Sequence, residues 1–180
     1  GDNSGTFTKV HSDNFYTGNE LASHFSVYPY SENTKISYDG HITFQLPKVQ
    51  SYKKDSFGDA SNLMLAVTAD VNDRFLFFKN VCGFLKVRLY GNVMVQRVEL
   101  SGNDGEMISG EAIVEGSHKS DPSITMTSSS SGSLILECPE KGVVIGSSDE
   151  NATSFWFVLP PTKFSKGIKL IVTDVEGNEY

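Results

Sequence analysis

The histidines and cysteines are the residues with which this chain could carry out catalysis or hold a transition metal. The four histidines, His11, His24, His41 and His118, are spread over predicted loops and strands, and none has a partner at metal-ligand or triad spacing. GxSxG, HExxH, GxGxxG and P-loop motifs do not occur either. A hydrolase on a β scaffold would require His41 or His118 to meet Cys82 or a carboxylate pair in one cleft. We therefore predict a protein that is not an enzyme, with no catalytic, cofactor-binding or metal-binding residues and no cofactor.

The two cysteines, Cys82 and Cys138, allow two interpretations. Each lies in a predicted strand or at its edge, so the pair can form a disulfide that would stabilise the fold by about 4 kcal/mol. Alternatively, both are buried free thiols that pack as small hydrophobic side chains. The apolar neighbours Val81 and Phe84 favour an inert, buried thiol at Cys82, and no CxxC or CxH spacing indicates a metal site.

Two acidic turns, at residues 103–106 (NDGE) and 174–178 (DVEGN), have side chains of the kind that bind calcium. The second turn places oxygen atoms at alternate positions around a glycine, as calcium loops do. It has neither the distal bidentate glutamate nor the flanking helices of an EF-hand. We predict a plain hairpin turn here rather than a calcium site.

Aromatic residues offer a further chemistry, the stacking of sugar rings. Trp156 and the tyrosines Tyr28, Tyr30, Tyr38 and Tyr52 could form such a platform on a β scaffold. Trp156 lies in a strand that we expect to be buried, which favours a core tryptophan. The tyrosines in the first third of the chain keep a carbohydrate-binding module open as an alternative function.

The composition indicates a globular protein and excludes some partners. The chain has 180 residues, of which 38% are hydrophobic and 21% charged, which is typical of one folded domain over residues 1–180. The net charge of −7 disfavours nucleic acid and anionic membranes, because both require a basic surface. No run of 18 apolar residues occurs. The polar start resembles the interior of a mature chain, so an export signal in a precursor remains open.

Short alternations of apolar and polar residues, bounded by turn residues, recur along the whole chain. About ten short strands, with turn signals every 8–12 residues and no amphipathic helix, predict an all-β protein, an antiparallel sandwich or barrel. The clearest hairpin has Asp39-Gly40 between residues 35–38 and 41–46. Residues 1–20 are expected to be loop-like and poorly ordered, or to add one edge strand.

The densest apolar run covers residues 75–91, FLFFKNVCGFLKVRLYG. Its second half alternates apolar residues with Lys86 and Arg88, as a strand with one wet face does. Gly83 separates the two apolar halves and suggests a bulge. We expect this run to anchor the sandwich, with Phe75, Phe77 and Val81 on one face of a strand. Leu85, Val87 and Leu89 are expected to be core residues.

Residues 155–159 (FWFVL) are apolar at every position. This pattern is typical of a central strand that is covered on both faces. Pro160-Pro161 ends the strand, because proline cannot continue a central ladder.

Several of these segments, in this order, resemble the fimbrillin-like, Mfa-like surface proteins of Bacteroides-type bacteria. The resemblance spans about residues 25–175. It rests on these segments: 44–47 (FQLP) with Gln50, 62–66 (NLMLA), 78–83 (FKNVCG), 98–103 (VELSGN), 155–161, Gly167 and 172–174 (VTD). It implies a transthyretin-like, Greek-key β-sandwich and an exported, lipid-anchored protein of the outer membrane surface. Members often carry two such domains, which leaves a second domain beyond residue 180 open, and the chain shows no lipobox.

From the resemblance we expect a non-enzymatic extracellular adhesion protein, or a fimbrial, pilus-type subunit or accessory protein. Its partners would be other surface or fimbrial subunits, with host or biofilm ligands as further possibilities. Such subunits join by strand addition, in which an extended segment pairs with an open sheet edge. Nucleic acid is not expected as a partner, and a membrane is expected only through a lipid anchor outside this sequence.

Overall fold

Strands dominate the computed structural model, which describes residues 23–37 and 40–180. The prediction of an all-β fold is confirmed, and the described residues contain no α-helix, only one 3-10 turn at Asp149–Asn151. The expected edge strand within residues 1–20 lies outside the described residues. The strands are β1 Phe25–Tyr28, β2 Lys35–Ile36, β3 Ile42–Leu46, β4 Val49–Ser51, β5 Met64–Val67, β6 Lys79–Asn80, β7 Gly83–Leu89, β8 Met94–Gly102, β9 Gly110–Ser117, β10 Ser120–Met126, β11 Ser133–Glu137, β12 Val143–Val144, β13 Thr153–Leu159 and β14 Ile168–Asp174.

Strand β8 is the centre of the largest sheet. Strands β11 and β14 both pair with residues 97–101 of β8, so they lie on its two sides, and β12 pairs with the start of β8. Strand β4 extends this sheet beyond β11, and it runs parallel to β11 whereas the other strand pairs are antiparallel. The remaining strands form three smaller sheets in the orders β10-β9-β3-β2, β1-β5-β6 and β13-β7.

The predicted hairpin at residues 35–46 is present. Strands β2 and β3 are antiparallel, with Lys35 opposite Thr43 and Ile36 opposite Ile42. The alternation of β3 sets its burial, since its three apolar side chains are at most 3% exposed and Gln45 between them is exposed. Tyr38 and Asp39 of the turn lie outside the described residues.

Two clusters of buried side chains form the interior. The first core lies between the large sheet and the β13–β7 ribbon, and its buried members are Val95, Val98, Leu100, Ile108, Leu134, Leu136, Cys138, Ile145, Phe155, Phe157 and Leu159. The second core lies between the sheets that contain β3 and β5. Its buried members are Ile42, Phe44, Leu46, Leu63, Leu65, Val81, Cys82, Ala112, Val114 and Val158.

Strand β13 belongs to both cores. Phe155 and Phe157 are fully buried in the first core, and Val158, which points the other way, is buried in the second. The prediction that this strand is covered on both faces is therefore confirmed. Its predicted position in the middle of a sheet is wrong, because in the described part of the chain β13 pairs with β7 alone.

The expectation of one strand face with Phe75, Phe77 and Val81 is wrong for the two phenylalanines, whereas Val81 is buried in the second core. Both phenylalanines lie in an irregular segment before β6, with 72% and 69% of their surfaces exposed. The preceding loop fixes this arrangement, because the Asp73 carboxylate accepts hydrogen bonds from the backbone N–H groups of Ala69 (3.0 Å) and Phe75 (3.0 Å). The second half of the run meets the expectation better, since Leu85, Val87 and Leu89 pack against the first core.

Candidate functional site

The histidines do not come together in a reactive group. Nε2 of His24 lies 3.0 Å from the backbone oxygen of Val71, whereas His41 forms an ion pair with Glu115. His118 follows β9, and His11 lies outside the described residues. Within residues 23–37 and 40–180, no group of three or more His, Cys, Asp or Glu side chains is arranged to hold a metal ion.

The cysteines are separate, buried thiols. Cys82 packs in the second core and Cys138 in the first, and neither forms a disulfide. Burial raises the pKa of each thiol to about 12, so almost no reactive thiolate is present at neutral pH. The structure therefore supports the second interpretation of the sequence, in which both cysteines are free, structural thiols.

The turn after β14 is held by its own side chains. The Asp174 carboxylate accepts hydrogen bonds from the backbone N–H groups of Glu176 and Asn178 (both 2.9 Å), the Asn178 side-chain amide (2.9 Å) and the Tyr180 hydroxyl (3.0 Å). These bonds lower the pKa of the Asp174 carboxyl, and the bond from the Asn178 side chain contributes most. Because internal donors occupy both carboxylate oxygens, the plain hairpin turn that we predicted is the better description.

In the other acidic turn, the Asp104 carboxylate is bound by the Lys166 ammonium at 2.5 Å. The backbone N–H of Asp104 donates in turn to the Glu106 carboxylate at 3.0 Å. These contacts stabilise the turn between β8 and the following segment.

The aromatic platform that would stack a sugar is dispersed. Tyr52 packs inside the first core, with its ring 5.1 Å from that of Phe155 and its pKa raised by burial. Trp156 is half-buried on the opposite face of β13, so the prediction of a core tryptophan is only partly correct. Tyr28 and Tyr30 remain exposed at 50% and 85%, and Tyr38 lies outside the described residues.

The outer edge of β7 is an open strand edge that lies beside the first core. All seven residues of β7 pair with β13 along one edge, from Gly83 opposite Leu159 to Leu89 opposite Thr153. No described strand is hydrogen-bonded to the other edge. In an antiparallel pair the N–H and C=O groups of alternate residues point away from the partner strand. Among residues 23–37 and 40–180, nothing pairs with the outward-pointing backbone groups of β7, so this edge offers a template for another strand.

On the opposite edge of the ribbon, the backbone of one β13 residue, Val158, is bound by a side chain. Gln50, on β4, is 3% exposed, and its amide nitrogen donates to the backbone oxygen of Val158 at 2.6 Å. The backbone N–H of Val158 donates to the Gln50 amide oxygen at 3.0 Å. The side-chain amide thus takes the place of a neighbouring peptide group and ties β13 to the large sheet.

The first core is incompletely covered on the β7 side. Leu85, Val87 and Leu89 point towards this core but are only half-buried, although Phe155 and Phe157 on the paired strand are fully buried. Leu170 and Val172 of β14 are likewise half-buried. In the large sheet, β14 lies on the side of β8 away from β4. A strand added beside β7 would cover these aliphatic side chains.

The opposite face of β7 carries one aromatic and two basic side chains. The Phe84 ring stacks on another phenylalanine ring, 4.7 Å away at an angle of 22°. The Lys86 ammonium lies 5.3 Å from the centre of the Trp156 ring, and the Arg88 guanidinium is 3.4 Å from the Asp149 carboxylate. The outer edge of β7 is therefore apolar on one face and basic on the other. The sequence showed this alternation but not that the edge is unpaired.

Comparison with known proteins yields no relative: no family model matches the chain, and neither a curated protein nor a solved structure matches it. No helix among the described residues is long and apolar enough to cross a membrane.

Proposed function

We propose that this protein is a non-enzymatic, extracellular adhesion or fimbrial subunit, or an accessory protein of that kind, which acts through protein contacts such as strand addition. The observation that carries the proposal is the unpaired outer edge of β7 beside a partly uncovered apolar core. An edge of this kind gives an extended segment both backbone hydrogen bonds and a groove for alternate side chains. The partners would be other surface or fimbrial subunits.

The resemblance to fimbrillin-like, Mfa-like proteins supports the same function. It also supports a place on the outer surface of the cell, with a lipid anchor that lies outside this sequence. One of the residues that carry the resemblance, Gln50, binds the backbone of Val158 on β13 and ties the β13–β7 ribbon to the large sheet.

The proposal is tested by comparing cells that carry the gene with cells from which it has been deleted and cells in which it has been restored. Deletion is expected to reduce attachment or the number of surface fibres seen by electron microscopy, and restoration to return both. The full-length protein, purified from the cell surface, is expected to occur in assemblies larger than one copy. A strictly monomeric protein together with unchanged attachment and fibres would overturn the proposal.

A carbohydrate-binding module of the cell surface is the second candidate. The observation that favours it is the exposure of Tyr28 and Tyr30, since exposed aromatic rings stack on sugars. A glycan array probed with the wild-type chain and with Tyr30→Ala tests it, and Tyr90→Ala serves as a control because Tyr90 is an exposed tyrosine at the end of β7. This function predicts a bound glycan whose signal falls in Tyr30→Ala alone, and it is abandoned if no glycan binds.

A further inference from the structure

We propose that the outer edge of β7 accepts an extended strand in which aliphatic residues alternate with carboxylates, and that Lys86 and Arg88 prevent β7 from pairing with β7 of a second copy. This inference rests on the proposed function, since it names the partner chemistry of the same edge.

The register shows which self-paired arrangements of this edge are unfavourable. In an antiparallel pair, residues directly opposite each other point to the same face. Two copies of β7 paired over their full length would place Lys86 opposite Lys86 of the second copy. Sliding the two copies by two residues relative to each other, so that Val87 lies opposite Val87, places Lys86 of each copy opposite Arg88 of the other. The full-length register and this five-residue register therefore bring cations into contact, whereas the opposite slide, which also pairs five residues, places Lys86 opposite Phe84.

Such contacts are unfavourable, because directly opposite side chains lie about 4.5–5.5 Å apart and like charges at this distance repel. Basic side chains on an edge strand are a known means of preventing unwanted edge-to-edge pairing. Lys86 has no carboxylate partner among the described residues, whereas Arg88 forms an exposed ion pair with Asp149. A strand with carboxylates opposite these two positions would convert the repulsion into attraction.

The other face of the incoming strand would meet the first core. Its alternate residues would lie beside Leu85, Val87 and Leu89, which are half-buried and point towards that core. Aliphatic side chains fit there because their burial is favourable and the lining offers no charged partner. The chain as a whole carries a charge of −7, but screening at physiological salt limits that repulsion to about 8 Å, so the local basic residues decide the preference.

A designed peptide provides the first test. The probe is a fluorescent, end-capped peptide of sequence Val-Glu-Val-Glu-Val-Glu-Val, added to the full 180-residue chain, and binding is followed by fluorescence anisotropy at two salt concentrations. The same peptide with Lys in place of Glu is expected to bind at least tenfold more weakly. Hydrogen exchange of the bound chain is expected to slow at the backbone amides of β7.

Two backbone-methylated forms of the same peptide separate strand pairing from simple charge attraction. Methyl groups are placed on the amides of one alternating set of residues in the first form and of the other set in the second. Strand pairing predicts that one form loses at least tenfold in affinity and the other binds as before, because only one set of amides faces β7. Equal binding of the two forms, or no binding of the parent peptide at 1 mM, would overturn the proposal.

Charge reversal on the protein provides the second test. Lys86→Glu turns the shifted self-register into two Glu–Arg pairs, so this variant is expected to form a dimer in sedimentation experiments. Arg88→Glu produces the equivalent Lys–Glu pairs and leaves the contact between Lys86 and Trp156 in place, so it tests the same idea if Lys86→Glu folds poorly. Lys169→Glu, on β14, changes the net charge by the same amount, and this control variant is expected to sediment like the wild type. A wild-type dimer with protected β7 amides, or the absence of a dimer in both folded variants, would contradict the inference.

The outcomes distinguish this inference from the proposed function. If the acidic peptide pairs with β7 but deletion leaves attachment and fibres unchanged, the edge chemistry is correct and the surface function is wrong. If deletion abolishes attachment but no peptide pairs with β7, the function stands and the contact lies elsewhere on the protein.

Discussion

Replacement of Gln50 by leucine should destabilise the protein by more than a polar-to-apolar change at a buried site normally does. In the native protein the Gln50 amide forms hydrogen bonds of 2.6 and 3.0 Å with the C=O and N–H groups of Val158, a residue that is 1% exposed. Leucine cannot replace these bonds, so two buried backbone groups lose their partners. Each such loss costs about 1.5–2 kcal/mol. The leucine side chain recovers about 1 kcal/mol through its apolar surface.

The expected loss in the free energy of unfolding is therefore about 2–3 kcal/mol. With a urea dependence of about 2 kcal/mol per molar, the unfolding midpoint falls by about 1–1.5 M. Gln45→Leu is the matched control, because Gln45 is exposed on β3 and the same change there should alter stability by less than about 0.5 kcal/mol. The measurement is urea unfolding followed by tryptophan fluorescence and by circular dichroism.

Gln50→Glu separates the hydrogen bonds from packing, since it has almost the same shape. At neutral pH a carboxylate would face the Val158 oxygen and could not donate to it, so this variant should be strongly destabilised. Burial raises the folded-state pKa of such a group, so the destabilisation is present above that pKa and is relieved as the pH falls through it. Equal midpoints for Gln50→Leu and Gln45→Leu, together with no recovery of Gln50→Glu at low pH, would refute the reasoning.

Three further predictions concern the thiols, the last turn and the exposed aromatic segment. Because burial raises the pKa of Cys82 and Cys138 to about 12, a maleimide should label neither thiol in the native protein at pH 8 and both in denaturant; rapid native labelling would contradict their burial. Because the pKa of Asp174 is lowered in the folded state, its carboxylate stabilises the protein at pH values above the unfolded-state pKa of 3.8. This stabilisation is lost as the pH falls through the lower, folded-state pKa. Asp174→Asn should therefore lower the melting temperature at pH 7, and this difference should narrow at pH 3; a constant difference would argue against the carboxylate's role. Phe75→Ser should change the free energy of unfolding by less than about 0.5 kcal/mol, whereas Phe157→Ala should reduce it by about 3–5 kcal/mol, as measured by urea unfolding; similar losses would mean that Phe75 is buried.

The sequence determined the fold class and the faces of its clearest strands. A period of two residues places alternate side chains on opposite sides of a strand whatever its partner is, so Ile42, Phe44 and Leu46 could be assigned to one buried face from the alternation alone. Continuous apolar residues at 155–159 likewise predicted burial on both faces, which the two cores confirm. The three-residue strand β4 was missed because it is too short to show a period.

The sequence did not determine which strands are neighbours, and the candidate site depends on that choice. Alternation is the same for a strand paired on both edges and for one with a free edge, so only the tertiary structure revealed the unpaired side of β7. The sequence did not predict the exposure of Phe75 and Phe77 either. An apolar alternation predicts burial only if the backbone forms a strand there, and the loop held by Asp73 prevents this. Separation of Cys82 and Cys138 into two cores was decided by packing between residues distant in the chain. Long-range pairing is a property of the whole fold, so no local pattern contains it.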